Sequence, residues 1–273
     1  MDRYAVIGNP IEHSKSPEIH TAFARQTGED IEYIRLLGNP DDFNGDVRRF
    51  LAEGGQGLNV TVPFKETAWR LADELSSKAH TAGAVNTLTR LENNRLRGDN
   101  TDGVGLVRDL TVNQGFRLEG KRILMLGAGG AVRGVMRPLL EQNPKRIVIA
   151  NRTASKAYSL ANGLLEYGQV AGCGFDELDG MQFDLIINGT AAGLKGEVPK
   201  IPGSILANGG WCYDMLYSDQ ATPFQEWGNE RRAGRSLDGL GMLVEQAAES
   251  FRLWRDVLPE TTPVIAQLRN ARN

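Results

Sequence analysis

The chain contains 273 residues, 41% of them hydrophobic and 24% charged, and its formal net charge at pH 7 is −3. This composition is ordinary for a globular protein and excludes the basic surface that is typical of nucleic-acid binding. No apolar run approaches the length of a membrane span, and the first residues do not form a signal-peptide pattern. We therefore expect a cytoplasmic protein with no nucleic-acid or membrane partner, long enough for two domains.

The cysteines and histidines show no metal-binding spacing. Cys173 and Cys212 lie far apart in the chain, and the three histidines are scattered. We interpret the cysteines as free thiols in a reducing compartment, and we predict no metal site.

The first hundred residues alternate between strand-like and helix-like segments. The pattern predicts strands at 5–7, 32–37 and 58–62, and helices at 17–27, 41–53 and 67–75. Two further strands, 85–91 and 95–98, are separated by three polar residues and therefore predict a hairpin. This alternation is typical of an α/β domain.

Polar clusters follow several of these strands, and each has an ordinary structural explanation. Ser16 stands before Pro17 and is a natural N-cap for the first helix, which leaves Ser14 unexplained. Lys65 can equally be interpreted as an ordinary solvated lysine on the surface. Residues 99–102 have the alternative of a turn that caps the next helix. The spacing of these residues does not decide whether they converge.

The segment 122–134 predicts the start of a dinucleotide-binding unit. The apolar run 123–126 is typical of a strand buried on both faces of a parallel sheet. It leads through a glycine-rich turn to a predicted helix, 131–140, whose free N–H groups and dipole suit a diphosphate. The turn residues are Gly127, Ala128, Gly129, Gly130 and Ala131. Such a turn alone also occurs for structural reasons, and Val132 occupies the third glycine position of the strict motif.

A second apolar run, 147–150, ends at Asn151, Arg152 and Thr153, where this type of fold contacts the adenosine ribose. An acidic residue at this point usually binds a free 2′-hydroxyl group. Arg152 can instead stack on adenine and pair with a 2′-phosphate, so the sequence predicts NADP as the cofactor. Lys156 is the alternative ligand for that phosphate.

The remaining segments complete a second α/β pattern. They predict strands at 184–188 and 211–213, a long amphipathic helix at 241–257 and a last helix at 263–272. Because the first hundred residues have their own alternating pattern, we predict two α/β domains with a ligand cleft between them.

Five motifs, at 8–17, 59–65, 82–87, 98–103 and 238–247, closely resemble shikimate dehydrogenase. The resemblance runs in order through essentially the whole chain and includes the glycine-rich turn and residues 151–153. Members of that family reduce 3-dehydroshikimate to shikimate with NADPH, on the chorismate route to aromatic amino acids. The resemblance implies a substrate domain at 1–102, completed by 240–273, and a Rossmann-like NADP-binding domain at 103–239.

The resemblance also implies roles for individual residues. Lys65 and Asp102 correspond to the catalytic pair, and Tyr217 corresponds to a tyrosine that closes over the substrate. The residues that correspond to ligands of the substrate carboxylate are Ser14 and Ser16. Those that correspond to ligands of its ring hydroxyls are Thr61, Asn86, Asp102 and Gln246. Those that correspond to positions near the nicotinamide are Met215 and Gly239. A fan of short polar side chains suits a small polyhydroxy acid, because each buried hydroxyl needs a partner.

Two alternatives stay open at this point. One is a relative that accepts quinate or uses NAD, against which Ser16 and Arg152 respectively argue. The other is a cofactor-binding regulator without turnover, against which the presence of both Lys65 and Asp102 argues. The chain departs from the family pattern at Ser77, where many relatives carry an acidic residue near the nicotinamide, at Val132, and in the turn 189–192, which includes Ala191. The sequence is compatible with a homodimer.

Overall fold

The computed structural model describes residues 1–271, which divide into two compact units. The first unit comprises Met1–Gly105 together with Leu243–Ala271, and the second unit runs from Leu106 to Met242. Residues 272 and 273, which the sequence assigns to the first domain, lie outside the described part of the chain. Each unit contains a six-stranded sheet with helices, which confirms the predicted α/β class.

The N-terminal part of the chain supplies six strands and five helices. The strands are β1 (Asp2–Gly8), β2 (Ile31–Leu37), β3 (Gly55–Val60), β4 (Glu74–Leu75), β5 (Thr87–Arg90) and β6 (Leu96–Asp99). The helices are α1 (Ser16–Thr27), α2 (Phe43–Ala52), α3 (Lys65–Leu71), α4 (Ser77–Ala82) and α5 (Asp102–Arg108). A π-helical turn, Asp109–Asn113, follows α5 directly.

The first sheet has the strand order β2-β1-β3-β5-β6-β4. Strand β1 runs parallel to both β2 and β3, whereas β5 runs antiparallel to β3 and to β6. The carboxyl ends of β1, β3 and β6 therefore meet the amino end of β5 at one edge of the sheet. The predicted hairpin is confirmed as the antiparallel pair β5 and β6.

The second unit contains six strands and three helices, and the chain ends in two further helices. The strands are β7 (Arg122–Leu126), β8 (Arg146–Ala150), β9 (Val170–Cys173), β10 (Phe183–Asn188), β11 (Leu206–Asp214) and β12 (Arg235–Leu237). The helices are α6 (Gly130–Leu140), α7 (Ala154–Asn162) and α8 (Pro223–Glu230). They are followed by α9 (Leu240–Arg255) and α10 (Thr262–Asn270).

The second sheet is entirely parallel, with the strand order β12-β11-β10-β7-β8-β9. The central strand β7 is apolar at successive positions because helices cover both faces of such a sheet. Its residues alternate between two clusters: Ile123 and Met125 pack in one, and Leu124 and Leu126 pack in the other. All four side chains are fully buried, as the unbroken apolar run predicts.

Several boundaries differ from the sequence prediction. Strand β3 ends at Val60, two residues early, because the chain turns where the Phe64 N–H donates to the Thr61 carbonyl. The helix predicted at 67–75 is α3, which ends at Leu71, and Glu74–Leu75 instead pair with β6. The sequence pattern does not predict α4, α7, α8, β9 or β12.

Among residues 1–271, no helix is long and apolar enough to cross a membrane. The same residues contain no group of three or more acidic, histidine or cysteine side chains arranged to hold a metal ion. Cys173 and Cys212 are free and buried, which confirms the prediction of free thiols. Burial raises the pKa of Cys173 to about 11 and that of Cys212 to about 12.

Candidate active site

The two predicted carboxylate ligands lie where the chain passes from β1 to α1: Ser14 is in the connecting loop, and Ser16 is the first residue of α1. The Ser14 carbonyl accepts two hydrogen bonds from the Arg35 guanidinium, at 3.0 and 2.6 Å. The Ser14 hydroxyl accepts a hydrogen bond from the Ser16 N–H at 3.3 Å. The capping interpretation of Ser16 is wrong, because Lys15 occupies the N-cap position of α1 and Ser16 is the first helical residue. The Ser16 side chain is nevertheless only 5% exposed.

Thr61 and Lys65 lie in the turn that follows β3. The Thr61 N–H donates to the Ile7 carbonyl at 3.0 Å, which extends the pairing of β3 with β1 past the end of the strand. Lys65 is the first residue of α3, and its carbonyl accepts a hydrogen bond from the Val85 N–H at 2.9 Å. Both side chains therefore belong to the edge where β1 and β3 end.

Lys65 and Asp102 form an ion pair, with 2.5 Å between Lys65 Nζ and Asp102 Oδ2. The side chains are only 16% and 7% exposed, respectively. The alternative of an ordinary solvated lysine is therefore wrong. Because the pair is largely removed from water, each charge depends on the other for its stabilisation.

Asn86 connects this ion pair to the C-terminal helices of the same unit. Its Nδ2 group lies 2.8 Å from Asp102 Oδ1, 2.9 Å from Thr101 Oγ1 and 3.1 Å from Gln246 Oε1. Its Oδ1 atom accepts a hydrogen bond from the Thr101 N–H at 2.9 Å. Four predicted site residues, Lys65, Asn86, Asp102 and Gln246, thus belong to one hydrogen-bonded cluster.

Several members of this buried network are not among the predicted site residues. Thr101 and Ser250 hydrogen-bond within it, and Asn59 and Tyr33 extend it toward β1 and β2. Ser250 had a detectable signal, since it lies four residues after Gln246 and so on the same face of α9. Tyr33 has no such signal, because only the strand pairing brings β2 to this edge.

The strand register of the second sheet brings the predicted cofactor residues to one edge. Leu126 is paired with Ala150 and with Asn188, and Asn188 is paired with Asp214. The next residue along each strand therefore stands at the same carboxyl edge. Those residues are Gly127, Asn151, Gly189 and Met215. Ligands of open α/β sheets bind at such an edge.

The glycine-rich turn has the geometry expected of a phosphate-binding loop. Gly127 has a φ of +106°, which a residue with a side chain adopts only at a cost, and its N–H donates to the Ala150 carbonyl. A Cβ atom built at Gly129 or Gly130 would meet no protein atom within 4 Å. Protein packing therefore does not explain these two glycines, and the open space beside them leaves the backbone at the start of α6 accessible to a ligand. Ala128 and Ala131 flank them, so the residues present fit a diphosphate.

Residues 151–153 form the connection between β8 and α7. The Asn151 side-chain amide donates to the Thr153 carbonyl at 3.0 Å and fixes the turn. Arg152, Thr153 and Lys156 are exposed. Within the part of the chain that the structure describes, neither basic side chain forms an ion pair. Two unpaired cations near the edge of the sheet fit an additional phosphate group.

The loop after β11 contains Met215 and Tyr217 and is anchored by Asp214. The buried Asp214 carboxylate accepts hydrogen bonds from Asn188 at 3.1 Å, from the Leu216 N–H at 3.1 Å and from Thr222 at 2.7 Å. Burial raises the pKa of Asp214, although these hydrogen bonds oppose the shift. The Gly239 N–H donates to the Leu216 carbonyl at 2.9 Å, so Gly239 lies directly against this loop.

Three models of known protein families match the chain. Residues 6–88 match a family model described as the shikimate dehydrogenase substrate binding domain. Residues 110–195 match a model described as shikimate/quinate 5-dehydrogenase, and residues 239–269 match one described as the shikimate 5′-dehydrogenase C-terminal domain.

Individual relatives match over nearly the whole chain. A shikimate dehydrogenase (NADP⁺) from Alkalilimnicola ehrlichii is 58% identical over 268 residues, which are 98% of each chain. The crystal structure of an Ael1 enzyme from Pseudomonas putida has a TM-score of 0.91 at 44% identity, with 98% of each chain covered. A shikimate 5-dehydrogenase from Thermus thermophilus, solved with NADP(H) and shikimate, has a TM-score of 0.87 at 31% identity, covering 99% of this chain and 100% of that one. The chain therefore belongs to the shikimate dehydrogenase family.

Proposed function

We propose that this protein catalyses the reversible NADPH-dependent reduction of 3-dehydroshikimate to shikimate, on the route to aromatic amino acids. The observation that carries the proposal is the Lys65–Asp102 ion pair, at 2.5 Å, inside a cluster of amide and hydroxyl groups. The family membership and the predicted NADP-binding edge support the same reaction. We further propose a cytoplasmic location and a homodimer.

The substrate side of the proposal uses the edge where β1, β3 and β6 end. Ser14 and Ser16 would hydrogen-bond the substrate carboxylate, and Thr61, Asn86, Asp102 and Gln246 would hold its ring hydroxyls. Asn86 and Gln246 suit this task, because an amide can both donate to and accept from a hydroxyl. The side chains of this buried cluster hydrogen-bond one another, so each polar group is already oriented before a ligand binds.

Lys65 would act on the ring carbonyl oxygen. When NADP is bound in its reduced form, it supplies the hydride that the carbonyl carbon accepts. Negative charge then develops on the oxygen, where the Lys65 ammonium group stabilises it and donates the proton that completes the hydroxyl. A proton from the solvent then restores the Lys65 ammonium group. In the reverse reaction the neutral Lys65 amine acts as the base.

Asp102 would orient Lys65 rather than exchange protons itself. One of its carboxylate oxygens contacts Lys65, and the other accepts a hydrogen bond from Asn86. The carboxylate is therefore held from both sides, which restricts the ammonium group to one position. Its negative charge also balances that of Lys65 in a site with little water.

The cofactor side of the proposal uses the carboxyl edge of the second sheet. The N–H groups of Ala128, Gly129, Gly130 and Ala131 would bind the diphosphate, and Gly127, whose own N–H is bonded to the Ala150 carbonyl, would give the turn its shape. Arg152, flanked by Asn151 and Thr153 and supported by Lys156, would bind the 2′-phosphate. Met215 and Gly239 would lie near the nicotinamide, and Tyr217 would contact the substrate.

The decisive experiment is an assay of NADPH formation from shikimate and NADP⁺ by the purified protein, with parallel reactions that contain quinate or NAD⁺. We expect rapid turnover with shikimate and NADP⁺ and much slower turnover with either substitute. Preference for quinate or for NAD⁺ would mean that the protein is instead a relative that accepts quinate or uses NAD. Absence of turnover with every pair, together with binding of NADP⁺ by calorimetry, would favour a regulator.

A further inference from the structure

A buried histidine, His20, hydrogen-bonds Asn59 next to the cluster of Lys65, Asn86, Asp102 and Gln246, and the proposed reaction gives it no role. His20 is fully buried in α1, and its ring stacks on Tyr33 with 4.2 Å between centroids and 5° between planes. Phe23 lies edge-on to the same ring, with 6.0 Å between centroids, and Phe251 stacks on it with 6.1 Å between centroids. The imidazole is therefore held in one orientation.

The hydrogen bond from His20 reaches Asn59, which lies directly behind Asn86. The Asn59 Nδ2 group donates to the Asn86 carbonyl at 3.3 Å and to Ser250 Oγ at 2.9 Å. A backbone carbonyl can only accept, so the amide orientation of Asn59 is fixed and its Oδ1 atom faces away from Asn86.

The Oδ1 atom of Asn59 lies 3.1 Å from His20 Nε2 and 2.7 Å from the Tyr33 hydroxyl. Since this oxygen can only accept, His20 must hold its proton on Nε2. Its other ring nitrogen, Nδ1, has no hydrogen-bond partner among residues 1–271. Burial lowers the pKa of His20 to about 3, so the ring stays neutral at physiological pH. The imidazole thus offers Asn59 one fixed donor.

We propose that His20 is a positioning residue, which holds Asn59 against Asn86 and so keeps Asn86 aligned on the Asp102 carboxylate of the catalytic pair. Four hydrogen-bonded residues form the path, in the order His20, Asn59, Asn86 and Asp102. The inference rests on the proposed function. A wild-type protein without turnover contradicts that function, whereas wild-type kinetics in the variant below contradict only this inference.

The test compares His20→Leu, which removes the donor, with His20→Gln, which keeps an amide donor at a similar reach. We expect His20→Leu to lower kcat for shikimate oxidation about three- to tenfold, the scale of one lost hydrogen bond, with KM for NADP⁺ unchanged. We expect His20→Gln to restore kcat to within about twofold. A His20→Leu variant with wild-type kcat, or a glutamine variant as slow as the leucine variant, would overturn the proposal.

Phe23→Leu is the matched control, because it removes aromatic packing against His20 without removing a hydrogen bond. It should lower the unfolding temperature and leave kcat unchanged. An equal fall in kcat in this control would show that core packing alone accounts for the effect. If His20→Leu does not fold, His20→Met takes its place, because methionine has a flexible apolar side chain without an N–H donor. A wild-type kcat in that variant would overturn the proposal, and a kcat lowered about three- to tenfold would support it.

Discussion

The two units prepare their predicted sites in opposite ways. In the first unit the side chains are buried and bonded to one another, as with Asn86, which contacts Asp102, Thr101 and Gln246. In the second unit the site consists of a backbone turn with open space beside Gly129 and Gly130, and of the exposed Arg152. A substitution in the first site therefore leaves buried polar groups without partners, whereas a substitution in the second removes only a contact to the ligand.

The chemistry of the two ligands explains the difference. A small ring with several hydroxyls has to be held in one orientation, so its partners must be fixed before it binds. A dinucleotide has phosphate groups that backbone N–H groups and a helix dipole can bind without a specific side chain. We therefore expect activity and stability to change together in the first unit and separately in the second.

The largest effect should follow from Lys65→Ala, which tests the coupling of activity and stability in the first unit. We expect kcat to fall by about two to four powers of ten, the usual contribution of a positioned proton donor. The KM for shikimate should change much less, because the other polar contacts remain. The unfolding temperature should also fall, because Asp102 stays buried and loses its charge partner. Steady-state kinetics and thermal unfolding measure both effects.

Arg70→Ala is the control for that variant. Arg70 lies on the same helix and is 66% exposed, and among residues 1–271 it forms an ion pair only with Glu66, at 3.8 Å. Its removal should therefore change neither quantity. Nearly normal turnover in Lys65→Ala would remove Lys65 from the mechanism.

The second prediction concerns the opposite unit, where Arg152→Asp should change binding without changing stability. We expect a strong rise in KM for NADPH, since a charge-assisted phosphate contact worth about 1.5–3 kcal/mol is lost and repulsion is added. The KM for NADH should change far less, because NADH has no 2′-phosphate. The unfolding temperature should stay constant, since the side chain is exposed.

Lys145→Asp makes the same reversal of charge at the opposite end of β8, and Lys145 is also exposed. It should leave the KM for NADPH unchanged. Equal losses with NADPH and NADH in Arg152→Asp would mean that the 2′-phosphate is bound elsewhere, with Lys156 as the first candidate.

The same contrast explains what the sequence could predict. In the second unit a continuous motif carries both the strand and its turn, so the apolar run before Gly127 was enough to locate the edge of the sheet. In the first unit Asn86 and Gln246 are 160 residues apart in the chain yet hydrogen-bonded. No local pattern brings them together, and only the resemblance to a family linked them.

Tertiary packing accounts for most of the errors. Ser16 has the residue type and the following proline of an N-cap, but the Lys15 backbone takes that position. Glu74–Leu75 continue a helical pattern in sequence, yet their backbone pairs with β6. The short helix α4 has its own N-cap, Ser76, which was not recognised. In each case a long-range contact or a single cap decides between local alternatives.

The third prediction uses these two serines to separate ligand binding from helix capping. Ser16→Ala should raise the KM for shikimate by roughly tenfold or more, because a hydrogen bond to a charged group is worth about 1.5–3 kcal/mol. It should also lower stability, because the Ser16 hydroxyl is buried and hydrogen-bonds Tyr33, although Ser16 caps no helix. Ser76→Ala removes a true cap, with Ser76 Oγ 3.3 Å from the Ala79 N–H, and should cost about 1 kcal/mol of stability without changing KM.

Thermal unfolding and the KM for shikimate, measured on both serine variants, decide this prediction. Ser16→Asp is a poorer test than Ser16→Ala, because Ser16 is buried and a carboxylate there would add a desolvation cost to folding. An unchanged KM in Ser16→Ala would mean that the substrate carboxylate binds elsewhere.

The last prediction concerns the packing beneath the carboxyl edge of the second sheet. It describes a substitution in the second unit that should change stability, as substitutions in the first unit do. A Cβ atom at Gly189 would lie 2.4 Å from Val132 Cγ2 and 3.0 Å from Met215 Sδ. Val132 and Gly189, which both belong to departures from the family pattern, thus fit each other. The valine side chain occupies the space that a residue larger than glycine at position 189 would need.

Gly189→Ala should therefore destabilise the protein by about 1–3 kcal/mol through overpacking, even though it lies at the edge where other substitutions change only binding. Val132→Ala alone should also destabilise, because it leaves a cavity in the fully buried core. The double variant should be more stable than the sum of the two losses predicts, because the new methyl group fills the space that the valine vacates. Chemical denaturation of the four proteins gives the coupling free energy. Strict additivity would show that Gly189 is required for a reason other than the size of Val132.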